Sequence, residues 1–346
     1  MTHIDYTTII KYAWMAYDAT RGILSIKDIS AMVSTNHVYR VELEDGGRII
    51  AKLSYFGKYE HFVEDHTIIN VLNNNLPAPF DNFLARSLMK GDRLFVHRFQ
   101  SGSIDAWVVF YLPMRIVQML PKRLTEDHIV KLATEFALFH KTCHIIRHTL
   151  PPSSKTLSSD IRDFLSLLQT DLGRYEHRMN LDEIKKQCHI FLENIEKLGV
   201  YDFDTIPVFV DWNIGNFSVT PNTKLFSRWD YDWFRISNRM MDFYFFSRVV
   251  SDIGDRSVFS YTIDQLMEDR FLLFLKHYHK VFPLSEKEIV FLKEAYRFFI
   301  LNYVVKYGRH FFHEIYATKL QKEAFDLYFP NIDSFNPKKL IKAIGG

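Results

Sequence analysis

At 346 residues, 47% hydrophobic and 24% charged, the chain exceeds one ordinary domain, has a soluble globular balance and predicts two lobes or domains. Its formal net charge of +2 is too small to indicate a nucleic-acid binder, and its longest apolar stretch, Ala106 to Met114, falls far short of the roughly 18 residues of a membrane span. The two cysteines, Cys143 and Cys188, form no Cys-x-x-Cys pair, and MTHIDYTTII lacks the basic and small-residue features of a signal peptide. A cytoplasmic protein with free thiols is therefore expected. The abundance of aromatics, 31 Phe and 18 Tyr, predicts a bulky core.

Residues 1–100 read as mixed α/β and the rest as mostly helical. In HVYRVELEDGGRIIAKL, Tyr39, Val41 and Leu43 alternate with Arg40, Glu42 and Glu44, the period of a half-buried strand. Asp45-Gly46-Gly47 supplies a tight hairpin, and Arg48 to Leu53 forms the returning strand. KYEHFVEDHTIINVL then places Phe62, Ile68, Ile69 and Leu72 near helical spacing, and the helix ends at Asn73-Asn74-Asn75 and LPAP. RLFVHRFQSG reads as a further short strand closed by a Ser-Gly turn. Thr125, followed by Glu126 and Asp127, starts a helix whose buried face is Ile129, Leu132, Phe136, Phe139 and Cys143. Ser285 to Glu288 is a capping box, with Leu284 and Ile289 as its staple.

One strand-rich island, PVFVDWNIGNFSVTPNTKLFSRWDYDW, interrupts the helical half. Asp211 sits there between apolar, β-prone flanks, five residues before Asn216. On a loop that curls back, the carboxylate can accept a hydroxyl proton while the amide oxygen meets a metal. Taken alone, an Asx turn explains these residues as well. Asp230 ends the next apolar run and can supply a second hard oxygen across the hairpin. A solvated loop carboxylate is the plain alternative, and the neighbouring Asp232 shows that acidic residues are common here.

DWNIGN resembles the catalytic loop of aminoglycoside phosphotransferases and choline kinases, where His-Gly-Asp is followed, after four intervening residues, by Asn. WDYDWFRISNRMMDF resembles the metal-binding segment of that family at Asp230, Ile236, Asn238 and Asp242. Lys52 matches the strand lysine that holds ATP phosphates, and Glu64 its helical partner. RLFVHRFQSG resembles the lobe-connecting strand, EFALFH the Leu-His helix ending at His140, and 278–309 the helical cap of homoserine-kinase-like and spore-coat-kinase-like members. The resemblance implies an α+β, protein-kinase-like fold: an antiparallel-sheet nucleotide-binding lobe over 1–97 and a mostly helical lobe over 98–346. It implies ATP and Mg²⁺, with Asn216 and Asp230 as metal ligands, Asp211 as base, and a small alcohol as acceptor. Amino alcohols, hydroxy amino acids, sugars and aminoglycoside-like antibiotics all qualify.

Two departures stand out. The phosphate loop, ISAMVSTNHVYRV, has no glycine, so Ser34, Thr35 and Asn36 would have to cradle phosphate. Phe209-Val210 replaces His-Gly before Asp211, removing a polar support. Both favour the alternative of a nucleotide-binding pseudokinase or assembly protein. His140, His144 and His148 have the spacing of a zinc-binding helix face but no completing ligand. There is no Gly-x-Ser-x-Gly elbow. Trp212, Trp229 and Trp233 would line an acceptor pocket or fill the core beneath the hairpin.

Overall fold

The computed structural model describes residues 5–30, 37–102, 104–253 and 260–345. The expected phosphate-loop residues Ser34, Thr35 and Asn36 lie outside them. The N-terminal lobe opens with α1 (Tyr6–Tyr17), capped by Asp5, whose side chain accepts the Thr7 N–H. Strands β1 (Ile23–Asp28), β2 (His37–Leu43) and β3 (Arg48–Ser54) precede α2 (Tyr59–Asn75). A minimal hairpin of β4 (Met89–Lys90) and β5 (Arg93–Leu94) leads to β6 (Val96–Ser101) and β7 (Ile104–Tyr111). The antiparallel sheet has the order β1-β2-β3-β7-β6.

Strand alternation divides this sheet into two faces. Tyr39, Val41, Leu43, Ala51, Leu53, Val108 and Phe110 pack against Ile9, Ile10, Ala13 and Trp14 of α1. Lys52, in register with Val38 and Val109, belongs to the opposite face. The hairpin at Asp45-Gly46-Gly47 and the extent of α2 agree with the sequence reading.

One expectation requires correction. RLFVHRFQSG does not connect the lobes: Val96–Ser101 is the outer edge of the sheet, and β7 beside β3 leads into the second lobe. The physical reason is burial. Ala106 to Tyr111 is buried at every residue, as a central strand must be, whereas Val96–Ser101 is largely exposed or half-buried. Residues 97 and 98, between which the sequence reading divides the lobes, both lie within β6, and the sheet runs on to Tyr111.

The second lobe is built on α3 (Glu126–Ile146), α4 (Leu157–Leu167), α5 (Asp171–Glu176) and α6 (Leu181–Leu198). Two small ribbons follow: β8 (Ile206–Val208) pairs with β11 (Arg235–Ser237), and between them β9 (Phe217–Val219) pairs with β10 (Leu225–Arg228). Then come α7 (Phe243–Val250), α8 (Asp269–Val281) and α9 (Glu286–Phe299), the last continuing as a π-helical Ile300–Lys306. Short helices α10 (Gly308–Phe311), α11 (Glu314–Glu323), α12 (Phe329–Ser334) and α13 (Lys338–Ile344) complete the chain. The Ser285–Glu288 capping box forms as read. Phe136, Phe139, Phe246 and Phe274 pack into one aromatic core, the outcome expected of so many Phe. Among the described residues no helix is long and apolar enough to cross a membrane.

Candidate active site

The loop after β8 carries Asp211. Val210 just before it has φ 60°, a conformation that a β-branched residue adopts only when its surroundings impose it. Asp242 is that constraint: its Oδ1 accepts the Phe209 and Val210 N–H groups at 3.0 and 2.6 Å. Asp242 Oδ2 lies 2.9 Å from His140 Nε2, and His140 Nδ1 lies 2.7 Å from the Tyr278 hydroxyl. With both ring nitrogens engaged inside the core, His140 anchors the loop. The polar support that Phe209-Val210 cannot give by side chain thus comes to their backbone instead.

Asp211 and Asn216 are brought together as expected. Asn216 Nδ2 donates to Asp211 Oδ2 at 3.1 Å, while Oδ1 accepts from Asn213 N and Nδ2 at 3.1 and 2.7 Å. The Asx turn and the Asp211–Asn216 contact therefore coexist. Trp229 N–H donates to the Asn216 carbonyl at 3.0 Å, fastening this loop to the segment that carries Asp230.

Asp230, at φ 67°, faces Lys52 of the other lobe, with Lys52 Nζ 2.9 Å from its Oδ1. Lys52 also pairs with Asp232, whose role the sequence reading missed. An Asp-x-Asp spacing was the available signal: Asp232 N–H folds back onto Asp230 Oδ1 at 3.3 Å, and both carboxylates meet one ammonium. Burial opposes ionisation of Asp230, but the Lys52 charge overrides it and holds this carboxyl below its ordinary range. Asp232 moves the other way, pushed up to about 7 by burial and by the neighbouring Asp230 charge, against the pull of Lys52. Lys52, itself buried, is raised because its two carboxylates outweigh desolvation.

Glu64 does not pair with Lys52. Its Oε1 accepts from Ser153 Oγ and Ser154 N, both at 2.7 Å, in the approach to α4. The next α2 residue, Asp65, is salt-bridged to Lys155. His66, bonded through Nε2 to the Tyr111 hydroxyl, is the α2 residue that senses the Lys52 charge. Burial first, then nearby lysines, pushes this imidazole down to about 3, so it is neutral. Helical spacing located Glu64 on α2 but not the direction it faces. The donors at 153–154 and the two carboxylates at Lys52 decide that.

Between the lobes lies a cavity of about 410 Å³, within the range of small-molecule sites. Val38, Ile50, Ala85 and Ile116 give it apolar walls, Tyr111 to Met114 also line it, and Lys52, Asn216 and Asp230 are its polar end. Asn216 and Asp230 offer hard oxygen donors at one end of the cleft, a set suited to Mg²⁺ when phosphate and water complete the coordination. Trp229 also lines it, whereas Trp212 and Trp233 are core, the latter stacked on Tyr303 at 4.8 Å. A smaller cavity of about 120 Å³ on the far side of Tyr231 is lined by Asp232, Asp65, Lys155 and Arg235.

This is the fold of the two-lobed small-molecule kinases. No family model and no curated protein matches the sequence, but solved structures match over nearly the whole chain. Amicoumacin kinase hAmiN, in complex with AMP-PNP, Ca²⁺ and Ami, superimposes with a TM-score of 0.62 at 12% identity, covering 97% of each chain. A microcompartment-associated aminopropanol kinase gives 0.59 at 17% identity over 98% of each. Choline kinase LicA from Streptococcus pneumoniae gives 0.56 at 14% identity, over 95% of this chain and 99% of that one. The structural neighbours are thus kinases of the aminoglycoside phosphotransferase and choline kinase group.

Proposed function

We propose that the protein is an ATP- and Mg²⁺-dependent kinase that transfers the γ-phosphoryl group to a hydroxyl of a small molecule. The observation that carries this reading is convergence. Lys52 of β3, Asn216 of the β8–β9 connection and Asp230 after β10 line one end of a single cleft, with Asp211 hydrogen-bonded to Asn216. In this reading Lys52 holds the α/β-phosphates, and Asn216 and Asp230 hold Mg²⁺, which neutralises phosphate charge. Asp211 orients the acceptor hydroxyl and takes its proton. The apolar walls receive the nucleobase. Lys52 would exchange its carboxylates for phosphates on nucleotide binding, and Asp230 would turn to Mg²⁺. The nucleotide-binding lobe would extend through residue 111, and two buried, unbridged cysteines accord with the cytoplasm.

Acceptor-dependent ADP release tests the reading, with Mg-ATP and a panel of ethanolamine, homoserine, glucose and kanamycin as representative alcohols. Release with at least one acceptor is expected. A melting curve untouched by saturating Mg-ATP would overturn the reading. Tight nucleotide binding with no release from any alcohol would favour a nucleotide-binding pseudokinase, the reading that Phe209-Val210 suggests.

A further inference from the structure

Arg228, the last residue of β10, is 0% exposed. Its guanidinium lies 4.5 Å from the Phe209 ring centroid and 4.3 Å from that of Trp212. Nη2 donates to the Asp211 carbonyl at 2.9 Å and stands 3.5 Å from the Asp230 carbonyl. Nε and Nη1 are buried with no hydrogen-bond partner, and no carboxylate forms an ion pair with this arginine among the described residues.

Such a placement is unfavourable for folding. A buried cation with no direct salt bridge loses its hydration, and two ring faces, one or two carbonyls and the more distant charges of Asp211, Asp242 and Asp230 return only part of it. An apolar side chain of similar length would fill the same space without that penalty. What the arginine alone supplies is a donor reaching the two carbonyls that matter most to the site. One belongs to Asp211, next to the strained Val210; the other belongs to Asp230, itself at φ 67°. The ring beneath it is Phe209, at the position where the resemblance expects histidine.

We propose that Arg228 is a positioning residue that ties the Asp211 loop to the Asp230 segment, a buried charge kept for turnover at the expense of stability. It acts where the absent histidine would have given polar support, and it complements the hold of Asp242 on the same loop. The proposal rests on the kinase reading above.

Because its two halves have opposite signs, the proposal is testable on the full-length protein. Arg228→Met keeps length and bulk and removes the charge and the donor. Its melting temperature should equal or exceed that of wild type, while kcat for ADP release with the best acceptor of the panel falls about 10- to 100-fold, as when a group orienting a catalytic site is lost. KM for ATP should stay within about threefold, since the phosphate and base contacts remain. Arg228→Lys, which restores a charge and one donor, should recover part of kcat. A marked drop in melting temperature or a failure to fold in Arg228→Met would show a structural role and overturn the proposal. So would an unchanged kcat, or a lysine variant no faster than the methionine variant. A wild type that neither binds Mg-ATP nor transfers phosphate would instead remove the kinase reading, and this inference with it.

Discussion

Lys52→Met tests the electrostatic centre of the molecule directly. The lysine side chain is 5% exposed and is held by Asp232, 15% exposed, and Asp230, 35% exposed. Methionine refills the volume, so the perturbation is chiefly the loss of one cation from between two carboxylates. Removing one partner of a buried ion pair costs about 3–5 kcal/mol. Asp230 keeps a third of its surface in contact with solvent, which screens its share, so the lower end, about 3 kcal/mol, is expected at pH 7.5. The sign of the pH dependence follows from Asp232. With burial and Asp230 already pushing it up to about 7, loss of Lys52 raises it further. Lowering the pH protonates it and removes the repulsion, so the penalty shrinks between pH 7.5 and 5.5. Denaturant midpoints of wild type and variant at the two pH values, in EDTA, measure this. Adding Asp232→Asn should recover a large part of the loss at pH 7.5. A second readout is nucleotide: Mg-ATP at 100 times its dissociation constant stabilises the wild type by about 2.7 kcal/mol, and Lys52→Met should lose most of that gain. Wild-type stability in the variant, or a penalty that grows as the pH falls, would refute the reasoning.

The other expected outcomes separate chemistry, metal and scaffold. Asp211→Asn should preserve ATP affinity while kcat falls about 100- to 10,000-fold, read by initial rates of ADP release; a wild-type rate would remove Asp211 as the base. Asp230→Ala should weaken the Mg²⁺ dependence of nucleotide binding together with turnover, followed by titrating the metal at fixed ATP. Unaltered Mg²⁺ dependence would make Asp230 only a loop residue. Asp65 is pushed up to about 6 by burial, against the pull of Lys155. A carboxyl raised on folding gives stability that is complete below its unfolded pKa and lost as the pH rises through the folded value. Relative to Asp65→Asn, the wild type should therefore lose on the order of 2 kcal/mol between pH 4.5 and 7. Parallel pH profiles of the denaturation midpoint would contradict that.

Much of this architecture was legible in the chain because short-range rules governed it. Alternation at Tyr39, Val41 and Leu43 with a Gly-Gly turn determines the β2–β3 hairpin, and with it which face of β3 carries Lys52. The Ser285–Glu288 cap depends on four consecutive residues, and the Asp211–Asn216 contact on a six-residue loop. Helix α1 was also readable, from Ile9, Ile10, Ala13 and Trp14 on one face, though the sequence reading passed over it. What the chain by itself could not determine are the partners of charges brought from far apart. Lys52 meets Asp230 across 178 residues and Asp232 with it, while Glu64 turns to Ser153 and Ser154. Nothing in the local sequence around Arg228 announces that packing encloses it against the rings of Phe209 and Trp212. Asp242 reads as the last matched position of the segment that begins at Asp230, but only the fold places its carboxylate under the N–H groups of Phe209 and Val210. The physical reason is the range of the interactions: turns, caps and strand alternation are satisfied within a few residues, whereas the partner of a buried charge is whatever opposite charge or dipole the packed lobes bring within about 3 Å.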